Sequence, residues 1–117
     1  MNNFSKLFIL NILLIFSSVV TAQTGAIRIN QLGYYPDANK IALVVFTNAT
    51  TFEVINTLDS TVAFSGNLSA KMYWRDSGDT LKRADFSALT TEGTYKIRVP
   101  GFGESYPFEI SKTVLRK

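Results

Sequence analysis

Asp76, Asp79 and Asp85 lie close together in the chain, and paired carboxylates are what acid–base cleavage of a glycosidic bond requires. That chemistry needs two carboxyl groups flanking one bond at a defined separation, inside a cleft. Asp76-Ser77-Gly78-Asp79 instead reads as a loop whose aspartates bond the local backbone. Asp85 flanks Phe86 on the outer face of a short strand. The same three side chains carry the oxygen ligands calcium favours, but their spacing matches no calcium loop. The turn reading therefore takes precedence, and no catalytic residue, metal ligand or cofactor is assigned. The chain also contains no His and no Cys. This removes Ser-His-Asp and Cys-His catalysis, imidazole-ligated zinc and the usual general base near neutral pH.

Aromatic rings are the next candidates, because sugars stack on flat faces. Trp74 falls in phase with Leu68, Ala70 and Met72, a stripe that predicts core. Tyr73 lies on the opposite face and is the candidate surface platform for a glycan. Asn48-Ala49-Thr50 and Asn67-Leu68-Ser69 fit the N-glycosylation sequon, which carries information only for a eukaryotic source.

The elements that would position these residues follow from hydropathy. Met1 to Lys6 is polar with one positive charge, and Leu7 to Val20 is a nearly unbroken apolar run. Val20-Thr21-Ala22 then places small residues where a signal peptidase reads. Residues 1–22 are thus expected to form a helical secretory signal peptide, cleaved after Ala22, with an extracellular or periplasmic product. Interrupted by Asn11, Ser17 and Ser18, the apolar run falls short of the roughly 20 residues that span a bilayer, so no stable membrane anchor is expected. With no Cys at the cleavage site, lipidation there is excluded.

What remains is one small domain, held by its apolar core rather than by disulfides. The formal charge of +3 becomes +2 without Lys6, and the basic residues are scattered among acidic ones. Nothing resembles the basic stripe of a nucleic-acid binder.

Along this part, alternation of period two dominates. Ile27 and Ile29 oppose Arg28 and Asn30; Phe52 and Val54 oppose Thr51 and Glu53; Val62 and Phe64 follow a turn at residues 56–60. Ile41 to Phe46 is apolar on both faces, as in a central strand covered on each side. Tyr95, Ile97 and Val99 alternate with Lys96 and Arg98, and Tyr106, Phe108 and Ile110 close the pattern. No segment after Ala22 keeps an apolar 3.6 period for three turns. The expected fold is all-β, an immunoglobulin-like antiparallel β-sandwich of about seven to nine strands. Leu89-Thr90-Thr91-Glu92-Gly93-Thr94-Tyr95 adds a sharper sign. Tyr95 is placed as a structural tyrosine corner, its hydroxyl returning to upstream backbone.

Ile27-Arg28-Ile29-Asn30-Gln31-Leu32-Gly33-Tyr34-Tyr35-Pro36, followed by Lys40-Ile41-Ala42, resembles the opening of the N-terminal immunoglobulin-like domain of family-nine glycoside hydrolases (cellulases and endoglucanases). Ser77-Gly78-Asp79 with Ala84-Asp85-Phe86-Ser87, then Gly93-Thr94-Tyr95, then Ser105-Tyr106-Pro107-Phe108-Glu109-Ile110 are similar to its later motifs. The resemblance runs from about Ala26 to Ile110. It implies a non-catalytic accessory domain, residues 23–110, ahead of a helical glycosidase domain that carries the catalytic carboxylates. Residues 111–117 would begin the linker into that partner, which acts on a β-glucan polysaccharide. In such an assembly Gln31, Tyr34, Tyr35 and Pro36 become candidates for the domain interface, since the loop is rigid at Pro36 and presents two amphipathic rings. The competing arrangement has one Tyr closing the end of the sandwich and the other exposed. The rival function is a stand-alone secreted carbohydrate-binding or adhesion module.

Overall fold

The structure, a computed structural model, describes residues 22–75 and 78–113. Residues 1–21, where the expected signal peptide falls, lie outside the described residues, as do Asp76, Ser77 and residues 114–117. The described chain is all-β with no helix. Its strands are β1 (Ile27–Arg28), β2 (Ile41–Val45), β3 (Thr51–Asn56), β4 (Val62–Asn67), β5 (Met72–Trp74), β6 (Asp79–Asp85), β7 (Gly93–Val99), β8 (Gly103–Glu104) and β9 (Phe108–Ile110).

Two antiparallel sheets face each other. One has the order β1-β2-β6-β5; the other has β4-β3-β7-β8, with β9 also on β7. Strands far apart in sequence are thereby neighbours, as in the crossed connections of an immunoglobulin-like sandwich. Alternation explains which residues face inward. In β7, Tyr95, Ile97 and Val99 are buried while Lys96 and Arg98 are half-buried on the outside. Phe52 and Val54 of β3 and Ala42 and Val44 of β2 join them in one core with Phe86, Phe108 and Ile110.

β8 and β9 are one edge strand broken by residues 105–107. β8 pairs with Arg98 and Val99, and β9 with Gly93 to Tyr95. At the break, the Ile97 amide donates to Ser105 Oγ at 2.8 Å, and that hydroxyl donates to the Tyr106 carbonyl at 2.8 Å. Ser105 is fully buried, so its hydroxyl oxygen stands in for the carbonyl that would otherwise accept from the Ile97 amide.

The chain's two described ends tie the sheets together at opposite ends of the sandwich. Near the start, Thr24 N donates to the Glu104 carbonyl at 2.8 Å and Glu104 N to the Ala22 carbonyl at 3.0 Å. At the finish, Tyr34 N donates to Glu109 O and Ser111 N to Tyr34 O.

One expectation is corrected. Trp74 is 49% exposed rather than core. The stripe from Leu68 to Trp74 presumed one continuous strand. The chain instead leaves β4 at Asn67, buries Leu68, and crosses to the other sheet before β5 starts a fresh alternation.

Candidate functional site

Loop residues 30–40 connect β1 to β2 at the end of the sandwich where the described chain finishes. Asn30 shapes its start, its Oδ1 accepting from the Leu32 amide at 3.0 Å and its carbonyl from Gly33 N at 3.0 Å. Gly33 then takes a φ of 98°, a left-handed value that a Cβ would strain. That turn swings Tyr34 inward, where it is only 7% exposed. Its ring meets Phe86 and Phe108 edge-on, with centroids 5.2 and 5.4 Å away. Its hydroxyl accepts from Asn30 N at 2.9 Å and donates to the Ile41 carbonyl at 3.0 Å. Burial pushes its pKa up, opposed by the Asn30 amide.

Tyr34 therefore cannot present its ring to a partner and is withdrawn as an interface candidate. Pro36 is also buried. Its carbonyl, with that of Ala38, accepts from Nζ of Lys40, a lysine with no exposed surface. Burial pulls the Lys40 pKa below its ordinary value, against the attraction of Asp37 and Asp85. Gln31, Leu32 and Tyr35 remain exposed, Tyr35 at 39%.

The neighbouring Asp85-Phe86-Ser87 segment locks onto this loop. Ser87 Oγ accepts from Lys40 N at 2.9 Å and donates to Asp85 Oδ1 at 2.6 Å, and Phe86 N donates to Lys40 O. The Ser87 hydroxyl and amide hold the Asp85 carboxyl below its ordinary pKa. Asp79 sits at the other end of β6, 3.6 Å from Arg28. Six residue steps along the strand separate the two carboxylates by roughly 20 Å, about twice the widest gap a glycosidase pair uses. The third carboxylate, Asp76, falls outside the described residues.

Tyr95 is the third residue of β7 and donates from its hydroxyl to the Thr91 carbonyl at 2.8 Å. A Cβ on Gly93 would come within 3.2 Å of that hydroxyl, so the tyrosine needs the glycine beside it. Tyr73 is 67% exposed on the short edge strand β5.

Both outer faces of the sandwich carry ion pairs. Outside β3 and β7, Arg98 pairs with Glu53 at 2.8 Å and Lys96 with Glu104 at 3.0 Å. Outside β2, β6 and β5, register lines up Val45, Leu81 and Met72, while Leu43 faces Arg83, Ile41 faces Asp85 and Trp74 faces Asp79, which pairs with Arg28. A shallow depression there is lined by Leu43, Met72, Tyr73, Trp74 and Leu81 together with Arg75 and Arg83. Sequence reasoning did not name this face, although the doubly apolar pattern of β2 was its trace.

The sequence profile of the family described as the cellulase N-terminal ig-like domain matches residues 22–104. The chain belongs to this family. Endoglucanase D of Acetivibrio thermocellus is 38% identical to it over 88 residues, 75% of this chain and 14% of that protein. A xyloglucan-specific endo-beta-1,4-glucanase of Bacteroides ovatus is 40% identical over 92 residues, 77% of this chain and 15% of that one. Among solved structures, a Bacteroides ovatus family-nine glycoside hydrolase superposes with a TM-score of 0.66 at 40% identity, over 78% of this chain and 16% of that one. A metagenome-derived family-nine endoglucanase gives 0.64 at 31% identity, over 71% and 17%. The chain thus spans about a seventh of the length of the curated relatives it matches. As a cellulase N-terminal immunoglobulin-like domain, it is a non-catalytic part of glycoside hydrolases. The N-Q-L-G-Y-Y-P and D-F-S clusters of this domain tie loops at one end, and the separated Asp79 and Asp85 have local structural partners.

Proposed function

We propose that this chain is the N-terminal accessory domain of a secreted β-glucan hydrolase, packing on a helical catalytic domain in the same chain and stabilising it. The length relation carries the reading. Relatives of which this domain is about a seventh are named as glucanases, so the hydrolytic chemistry falls in the rest of such a chain. Support comes from the exit of the strand. Ser111 N is held by Tyr34 O and Lys112 N by Glu92 Oε1 at 2.8 Å, so the chain leaves in a fixed direction beside exposed Gln31, Leu32 and Tyr35. A partner that binds only the folded state raises its stability by mass action, which is a function without chemistry. The Leu7 to Val20 apolar run supports export.

The test is to read the coding sequence beyond Lys117 and to express the product with and without residues 23–110. The expected outcome is a hydrolase whose melting midpoint falls and whose β-glucan activity drops when the domain is removed. A stop after Lys117, or an unchanged midpoint and activity, would overturn the proposal.

A further inference from the structure

The backbone is laced side by side across the end of the sandwich where the described chain finishes. The turn after β3 is fastened to the start of β7, Thr57 N and Oγ1 both donating to the Thr94 carbonyl at 3.0 Å. Gly93 and Thr94 pair in turn with Ile110 and Glu109 of β9, and Ile110 bridges to Tyr34. Directions follow from this pairing. β3 and β9 are both antiparallel to β7, so each runs toward this end. The bridge of Tyr34 to Ile110 is parallel, so Tyr35 advances the same way as Ser111. Three strand spacings of about 4.8 Å set the Thr57 and Tyr34 backbones roughly 14 Å apart, with the departing chain between them.

Two turns at this end are built alike. Asn30 Oδ1 accepts from the Leu32 amide at 3.0 Å, and Asn56 Oδ1 accepts from the Leu58 amide at 2.9 Å. Each turn is thus ordered by its asparagine, and a polar residue at the leucine position would serve it equally well. Yet Leu58 is 93% exposed and Leu32 70%, more than any other large hydrophobic side chain among the described residues. Single exposed leucines are ordinary. Two of them on matching turns, one on each side of the exit and with the Tyr35 ring beside them, form a pattern. The exit itself is held, Ser111 N by Tyr34 O and Lys112 N by Glu92 Oε1. Two sheets about 10 Å apart and four strands wide give this end roughly 300–400 Å² with its side chains. That is one side's share of a contact between domains of one chain, which buries about 600–1,500 Å² in all.

We infer that this end, anchored by Leu32, Tyr35 and Leu58, is the surface on which the domain that follows in the same chain seats; this rests on the function proposed above. The partner chemistry it fits is an apolar surface with a polar group on its rim for the exposed Gln31 side chain. Because the tether starts between the anchors, the partner is presented at high effective concentration, and few anchors suffice.

Hydroxyl-radical footprinting of the 117-residue chain and of the longer gene product tests the inference. Tyr35 and Tyr106 are the same residue type at 39% and 46% exposure. They should oxidise at similar rates in the short chain, and Tyr35 several-fold more slowly than Tyr106 in the long one. Phe46, 66% exposed beyond the far end of β2, should react alike in both. Leu58→Asp should lower the melting midpoint of the long product by several degrees and that of the short chain little. Tyr73→Ser, on the edge strand β5, should move neither appreciably. Equal oxidation of Tyr35 and Tyr106 in the long product, or a Leu58→Asp product as stable as its parent, would overturn this surface. The accessory function still stands in that case if removing residues 23–110 lowers midpoint and activity. Protection of Tyr35 that grows with the concentration of the short chain would assign this end to a second copy and overturn the inference too. A coding sequence that ends at Lys117 would remove the function and this surface together.

Discussion

At the residue scale, two tyrosine hydroxyls pin the end of the fold where both rings flank Phe108. Tyr95 makes one bond, to Thr91 O, and its loss in Tyr95→Phe should cost about 1 kcal/mol in denaturant melts. Tyr34→Phe should cost more, about 1–3 kcal/mol, because it strands both the Asn30 amide and the Ile41 carbonyl. An equal effect of the two substitutions would deny Tyr34 its bridging place. Burial raises both tyrosine pKa values above their ordinary 10.0. A raised pKa contributes stability that is complete below pH 10 and lost as the pH climbs through the folded value. Lys40, with its pKa lowered from 10.5, works the other way, adding stability as pH approaches 10.5. Stability measured by urea melts should therefore decline above about pH 10, and the decline should flatten in the Tyr34→Phe, Tyr95→Phe double variant. Which of the adjacent Tyr34 and Tyr35 turns inward was not readable from alternation. It depends on the left-handed turn at Gly33, and a Gly-Tyr-Tyr-Pro string is compatible with either ring inside.

At the scale of elements, strand patterning was readable wherever one face meets the core. β3 and β7 fold as their alternation predicts, because each is long and paired on both sides. β5 escaped, since three residues carry too little pattern to reveal that phase restarts after a crossover. The broken edge of β8 and β9 escaped as well, because a serine that replaces a backbone group has no hydrophobic signature. Ser105→Ala tests that substitution. It leaves the Ile97 amide buried without its acceptor and should cost about 1–3 kcal/mol by thermal or denaturant melting. A Ser105→Ala chain as stable as the parent would show that the ladder closes another way. The same accounting explains why Asp79 and Asp85 looked like a chemical pair in sequence. Closeness along a chain becomes distance along an extended strand, where each residue adds about 3.3 Å.

For the whole molecule, the described ends lie at opposite poles. The first described residues join β8 beside Arg98, and the last leave β9 beside Gly93, at the two extremes of β7. Tension between those ends would run the length of the sandwich instead of peeling one edge. The weakest coupling in that line is the short clasp of Ala22 and Thr24 on Glu104, made of two backbone bonds. Fraying should therefore begin at the entry, where two backbone bonds hold Ala22 and Thr24 to Glu104, while the exit stays ordered by Tyr34 and Glu92.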